Sequence, residues 1–247
     1  ASLDDLPEPA SFPSLERPYN IAVGGVGGTG VLTIGALLGM AAHIEGKASM
    51  ILDMSGLAQK GGAVLSHVRL SEHTADVTCS RIVTGTADLV MAADEVVAAA
   101  KDTITLCEAS RTVGVINTHV IPTADFILNR DFNFQSRKVN HVLETELRKD
   151  SSFYDFTKPA ETLLGDSIAT NIMMLGYAYQ KGLLPLTLLP AYGVLALALD
   201  RYAGSKALSQ IAIVKEVAGV QVPGTPFAIS LNVVFSPLGS LPTIMRT

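Results

Sequence analysis

Glycines carry the clearest capacity for chemistry in this chain. Gly25-Val26-Gly27-Gly28-Thr29-Gly30 fits the spacing G-x-G-x-x-G. In that spacing the first glycine permits a tight turn, the second lets backbone approach a phosphate, and the third allows close packing of a helix on a strand. The N–H groups and positive dipole end of a following helix suit such a loop to an anion. A bare turn that binds nothing has the same spacing, and the residues alone leave both readings open. A second stretch, Gln59-Lys60-Gly61-Gly62, sets an ammonium beside adjacent glycines. That arrangement meets a phosphate or carboxylate as readily as it forms a solvated loop.

Three further positions could extend a polar surface. Asp53 stands where a dinucleotide-binding domain holds ribose hydroxyls; its plainer role is to cap a turn. His67 and Arg69 either continue an anion-friendly face or pack at a core edge. Asn117-Thr118-His119 closes an apolar run, so its polar groups are expected at the glycine loop's edge of a sheet, although Asn and Thr also satisfy turns locally.

Other chemistry is missing. There is no serine nucleophile elbow, no P-loop lysine, no G-D-G segment for thiamine diphosphate and no cysteine-rich ferredoxin pattern. The two cysteines, Cys79 and Cys107, are too few for a four-thiolate site. His43, His73 and His141 lack metal-ligand spacing. No catalytic residue and no metal are assigned.

The elements that must position these residues follow from periodicity. An apolar run at 21–23, the glycine loop, an almost wholly apolar stretch at 31–44 closed by Glu45-Gly46-Lys47, and a second run at 48–52 ending at Asp53 predict strand, loop, helix and strand, with Gly46 as left-handed cap. A crossover of this length implies parallel strands. Residues 63–70 read as a strand on which His67 and Arg69 share a face with Leu65. Residues 87–94 and 112–117 read as buried strands, with 95–101 helical between them. Residues 136–149 form an amphipathic pattern. After Asp166-Ser167, Ile168, Ile172, Leu175 and Tyr179 fall on one helical face that ends at Lys181-Gly182. The expected fold is α/β: a Rossmann-like open sheet, mostly parallel, with helices on both faces. Residues 1–18, with four prolines, read as a linker or arm, 19–186 as the main domain, and 187–247 as a segment without a clear element pattern.

Composition bounds the function. At 247 residues and 48% apolar content, the chain makes one large domain or a main domain with a small appendage. A net charge of −5 with scattered Lys and Arg gives no footprint for nucleic acid. The longest apolar stretch, 183–199, is broken by Pro185, Pro190 and Gly193, so no membrane span is expected. A mean hydropathy of +0.36 with 17% charged residues implies that an assembly partner covers part of the surface. The start lacks a signal-peptide pattern, so reduced thiols and a cytoplasmic location are expected. The initial Ala1 fits a processed start, an artificial boundary or a segment of a longer polypeptide.

The stretches "GGVGGTGVLTIGALLGMAAHIEGK", "LDMSGLAQKGGAVLSHVRL", "INTHVIPTADF" and "LLGDSIATNIMMLGYAYQKGLLPL" together resemble the gamma domain of the 2-oxoacid:ferredoxin oxidoreductases. The closest similarity is to indolepyruvate ferredoxin oxidoreductases of the long form, in which this domain is fused behind the thiamine diphosphate domains. The resemblance covers residues 19–186, and "GLAQKGGAVLSHVR" is its most specific part. It implies an enzyme that decarboxylates an arylpyruvate on thiamine diphosphate, passes two electrons through iron-sulfur clusters to ferredoxin and releases an acyl-CoA. This chain would be one part, not catalytic alone, with thiamine diphosphate, magnesium and iron-sulfur clusters held by partner domains or subunits.

In the family the gamma domain packs on the thiamine diphosphate domains, helps cover the active site and engages coenzyme A. Carried to this sequence, that implies a cofactor-facing surface at Gly25, Gly27, Gly28, Thr29, Gly30, Gln59, Lys60, Gly61 and Gly62, with Asn117 at the same edge and Lys60 or Arg69 nearest the phosphates. Asp53 opposes a pose with a ribose phosphate beside it, since like charges would meet. Two other classes compete: a free-standing NAD-binding oxidoreductase and a structural scaffold whose loop touches only protein. After Leu186 the resemblance fades, and the regular polar spacing it leads one to expect is absent.

Overall fold

Strand β1 (Tyr19–Val26) is buried over all but its last residue, so it must lie inside a sheet with a covering layer on each face. The computed structural model describes residues 9, 11–55, 62–119, 136–164 and 166–187. After β1 come α1 (Val31–Ile44), β2 (Ala48–Ser55), β3 (Ala63–Ser71), a 3₁₀ turn (Thr74–Asp76), β4 (Leu89–Ala92), α2 (Glu95–Ala98), α3 (Lys101–Ile104), β5 (Val113–Asn117), α4 (Ser136–Glu146), β6 (Ser152–Tyr154), α5 (Thr157–Leu164), a second 3₁₀ turn (Ser167–Ala169) and α6 (Thr170–Gln180).

The six strands lie in the order β2-β3-β1-β4-β5-β6. Pairs β1/β4, β4/β5 and β5/β6 are parallel, whereas β3 is antiparallel to both β1 and β2. Five strands therefore point one way and β3 is reversed. The mostly parallel sheet is as expected, but β1 and β2 are not neighbours. The burial pattern explains why. Leu65, Ser66, His67, Val68 and Leu70 of β3 are all buried, which suits an interior strand. No residue of 48–54 in β2 is fully buried, which suits an edge.

Helices cover both faces. On one, Ala22, Leu65, Val90, Ala92 and Ile116 of the sheet join Ala98 of α2, Leu143 of α4 and Leu147 in a single buried cluster. On the other, α1 lies so close that a Cβ added at Gly35 would stand 2.7 Å from Ser66 Oγ, and one at Gly39 2.6 Å from Ile51 Cδ1. Close helix packing thus falls to Gly35 and Gly39. The outward face of α1 is also apolar: Leu32 and Met40 are 48% and 44% exposed, and Ala36 lies exposed between them.

The helix expected over 95–101 divides in two at the extended backbone of Ala100. Residues 11–18 run against the domain. The Phe12 ring lies 6.1 Å from that of Tyr179, and Arg17 binds Asp88 through both nitrogens at 2.8 and 3.2 Å. Arg111 grips the same carboxylate at 2.9 and 3.2 Å, and the Asn20 N–H donates to it at 2.9 Å. Burial alone would raise the Asp88 pKa. The bonds from Arg17, Arg111 and Asn20 outweigh it and hold the carboxyl below its usual range.

Candidate functional site

The sheet order turns back on itself between β1 and β4, the place where open α/β sheets receive ligands beyond the carboxyl ends of their strands. The glycine loop occupies that place. Thr29 holds the turn, donating from Oγ1 at 2.7 Å and from its N–H at 3.1 Å to the Val26 carbonyl. Gly28 and Gly30 take φ of 96° and 77°, the left-handed region that favours glycine. A Cβ at Gly25 would lie 2.6 Å from Thr29 Oγ1 and 2.9 Å from Val31 Cγ2, so the turn admits no side chain there.

Gly27 and Gly28 differ from Gly25. Both are exposed; a Cβ at Gly27 comes no nearer than 3.5 Å to other atoms, and one at Gly28 meets nothing within 4 Å. Gly30 caps α1 with backbone only, with no side-chain cap bond among the described residues. The first N–H groups of any helix lack intrahelical acceptors. Open space over the loop and an uncapped helix start fit a phosphate bound through backbone. The Gly27 N–H donates to the Gly62 carbonyl at 2.9 Å, which joins the two predicted glycine stretches. Gln59, Lys60 and Gly61 lie outside the described residues.

A groove of about 480 Å³ opens beside Gly28 and Thr29. Its further walls are Ala93 after β4, Asn117 at the end of β5, His119 beyond it, Glu161 of α5, and Asp166, Ser167 and Thr170 at the start of the second 3₁₀ turn and α6. Asn117 is in this wall but does not present a free amide. It is 1% exposed; its nitrogen donates to the Ala93 carbonyl at 3.1 Å and Thr157 Oγ1 at 3.0 Å, and its oxygen accepts the Phe156 N–H at 2.9 Å. It ties three elements together instead of reaching outward.

The second wall escaped the sequence reading. Asp155 caps α5 by accepting from the N–H groups of Thr157 and Lys158 at 3.0 Å, and stands 3.8 Å from His119 Nδ1. Asp166 accepts from the Ile168 N–H at 2.9 Å. The capping preference of Asp before a helical turn was the available signal. Among the described groove residues, Glu161 and Asp166 are acidic and none is Lys or Arg. Nearby Asp94, 2% exposed, caps α2 through the Val96 and Val97 N–H groups. Burial pushes its pKa up against those two bonds.

Three candidates fall away from the loop. Asp53 sits inside β2, opposite Ser66, with β3 between it and β1, about 10 Å away at the usual strand spacing. A ribose carboxylate needs the strand beside β1. Arg69 pairs with Asn20 at the start of β1, roughly 20 Å along the strand from the loop. It donates to Asn20 Oδ1 at 2.9 Å and the Cys79 carbonyl at 2.6 Å, so it cannot serve phosphates at the glycine loop. His67 is 1% exposed and accepts the Ile82 N–H through Nδ1 at 3.0 Å.

A second cavity, about 710 Å³, lies beside β6 and is lined by Phe153, Tyr154, Phe156, Pro159, Met173 and Tyr177. Among the described residues no cluster of three or more His, Cys, Asp or Glu could hold a metal ion, and no helix is long and apolar enough to cross a membrane.

An open α/β sheet with a glycine loop at its switch point, beside a groove whose described lining includes His119, Glu161 and Asp166, defines the class of fold and its candidate site. Comparison with known proteins places it further: the chain belongs to the pyruvate ferredoxin/flavodoxin oxidoreductase family, whose profile matches residues 20–217, past the point where the resemblance fades to the eye. It is 26% identical over 173 residues to the indolepyruvate oxidoreductase subunit IorB of Pyrococcus horikoshii, covering 69% of this chain and 81% of that protein. To IorB of Methanothermobacter thermautotrophicus it is 32% identical over 161 residues, covering 65% and 77%.

Solved structures share the fold. The gamma subunit of the keto/oxoacid ferredoxin oxidoreductase from Geobacter sulfurreducens aligns with a TM-score of 0.51 at 20% identity, over 75% of this chain and 90% of that one. The 2-oxoglutarate:ferredoxin oxidoreductase from Magnetococcus marinus aligns with a TM-score of 0.54 at 19% identity, over 78% of this chain and 29% of that one.

Proposed function

We propose that this chain is the gamma, IorB-type component of an indolepyruvate:ferredoxin oxidoreductase. It docks on the thiamine diphosphate domains of that enzyme and presents its glycine loop to coenzyme A. The names of its relatives support the enzyme. The observation that carries the coenzyme A role is the open, uncapped loop beside the groove: Gly27 and Gly28 leave room over it and the first turn of α1 offers N–H donors. In this reading those donors hold a phosphate, Lys60 adds its charge, and Thr29 keeps the turn closed. Bound coenzyme A would supply the thiol that accepts the acyl group; chemistry on thiamine diphosphate and electron transfer through iron-sulfur clusters to ferredoxin belong to the partners. The outward apolar row Leu32, Ala36 and Met40 supports docking, because a helix apolar all round is normally covered.

The NAD-binding alternative loses its ribose carboxylate with the displacement of Asp53. The scaffold alternative is distinguished by Gly27→Val. The test is to tag the chain in its host, purify what accompanies it, and assay iron, thiamine diphosphate and indolepyruvate-dependent viologen reduction in one sample. All three are expected; a colourless protein alone would overturn the reading. In the complex, Gly27→Val is expected to raise the KM for coenzyme A at least tenfold with assembly intact. Lost assembly with an unchanged KM would instead favour the scaffold.

A further inference from the structure

Residues 77–87 cross one face of the sheet between β3 and β4, and Ile82 in their middle is 2% exposed. Ile82 belongs to the same buried cluster as Leu65, Leu106 and Cys107. The ends of the segment are held by bonds that do not titrate near neutrality: Arg69 donates to the Cys79 carbonyl at 2.6 Å, and Asn20 donates to the Thr86 carbonyl at 2.9 Å. The middle is fastened differently. The Ile82 N–H donates 3.0 Å to Nδ1 of His67, a side chain 1% exposed. An imidazole that accepts at Nδ1 carries its proton on Nε2, and Nε2 has no partner among the described residues.

A second proton has nothing to receive it. It would have to enter at Nδ1 and displace the Ile82 N–H. The charged groups facing this imidazole are Arg81 on the segment itself and Arg69 two residues along the same face of β3. Strand β1 presents Ala22 and β2 presents Leu52 opposite His67, and neither titrates. The carboxylate of Asp76 is held by Ser71, four residues farther along β3. Burial, with Arg81 adding to it, keeps the imidazole pKa below its ordinary value.

We infer that His67 is a proton-controlled latch on residues 77–87: neutral, it fastens the segment through the Ile82 N–H, and proton uptake at Nδ1 releases the segment and uncovers Ile82 and Cys107. No covalent bond breaks and the proton comes from solvent; opening as far as Cys107 also parts the bonds from the Gly85 and Ala87 N–H groups to the Thr105 and Leu106 carbonyls. The sign follows from linkage. The open form takes up a proton near the ordinary histidine pKa of about 6.5, the closed form only lower. Closure is therefore complete above that pH and weakens as pH falls through it, by up to about tenfold in the opening equilibrium per pH unit for one proton.

Hydrogen exchange of the full chain tests this, with rates corrected for the intrinsic effect of pH. Protection of peptides spanning 77–87 is expected to fall about tenfold per unit below pH 6.5, while peptides from β1 and β4 stay protected. In His67→Gln, whose amide oxygen can accept the same N–H without titrating, protection of 77–87 is expected to be flat. Protection in the unaltered chain that does not change between pH 7.5 and 5, or an equal loss in His67→Gln, overturns the latch.

A second measurement leaves His67 untouched. In Cys79→Ser, labelling of Cys107 by a disulfide reagent active in acid, normalised to the denatured chain, is expected to accelerate over the same pH range. A constant normalised rate overturns the proposal as well.

Discussion

Replacing Asn117 with Ala separates a structural strut from a ligand contact. The substitution removes three hydrogen bonds, to the Ala93 carbonyl, Thr157 Oγ1 and the Phe156 N–H. It strands those groups at a position 1% exposed. Each bond contributes about 1 kcal/mol net, and a buried donor left without an acceptor costs about 1–3 kcal/mol. Water entering from the adjoining groove can rescue part of this, so the expected loss is about 3–4 kcal/mol. That is a large share of the roughly 5–15 kcal/mol that holds a domain together. Denaturant unfolding of the full chain, followed by circular dichroism, measures it from the shift of the midpoint at constant slope. Asn117→Asp should lose at least as much near neutral pH, since it still accepts from Phe156 but buries a carboxylate with one oxygen against the Ala93 carbonyl. A loss below about 1 kcal/mol for Asn117→Ala, with coenzyme A dependence of the complex abolished, would refute the strut and restore Asn117 to ligand binding.

Gly25→Ala should cost about 2 kcal/mol, because the new methyl meets Thr29 Oγ1 and Val31 Cγ2 inside the turn; Gly27→Ala should leave the unfolding midpoint within about 0.5 kcal/mol of the parent, and equal losses would contradict the assigned roles. Asp88→Asn should lower stability near neutral pH by about 2–3 kcal/mol, whereas Arg17→Ala, at a side chain 56% exposed, should cost under about 1 kcal/mol. Because the folded-state pKa of Asp88 is depressed, its contribution is full above the ordinary carboxylate range and is lost as pH falls from there through the lower folded-state value. Midpoints measured from pH 7 to 3 should therefore converge for the parent and Asp88→Asn, and a constant gap would contradict the assignment.

The glycine loop and its flanking elements were legible because backbone demands leave few residue choices. A turn without room for a methyl at Gly25 and a left-handed helix start at Gly30 both write glycine into the sequence. The strands at 87–94 and 112–117 were legible as continuous apolar runs. The exchange of positions between β2 and β3 was not, since periodicity reports which residues are buried but not which strand lies beside which. The far wall of the groove was missed for a related reason. Glu161 and Asp166 are ordinary polar residues whose meeting with His119, expected at this edge, depends on two helices folding back over it. Arg69 and Asn117 show why such roles are hard to read: a polar side chain looks the same in sequence whether it is spent on protein or offered to a ligand.

The reversal of β3 sets a geometric condition on the site. Strand β1 has 8 residues, roughly 23 Å from end to end. A β3 parallel to β1 would begin beside Tyr19 and leave its leading glycines at the opposite edge of the sheet. Running backwards, it begins beside Val26, and Gly62 meets Gly27 at the mouth of the site although a helix and a strand separate them in sequence. Their alignment is then governed by strand pairing: a slip of one residue between β1 and β3 would move Gly62 by about 3.3 Å along the strand and pull its carbonyl out of reach of Gly27. Substitutions on the buried face of β3, far from any ligand, would in this way open or misalign the mouth while leaving every residue of both loops unchanged.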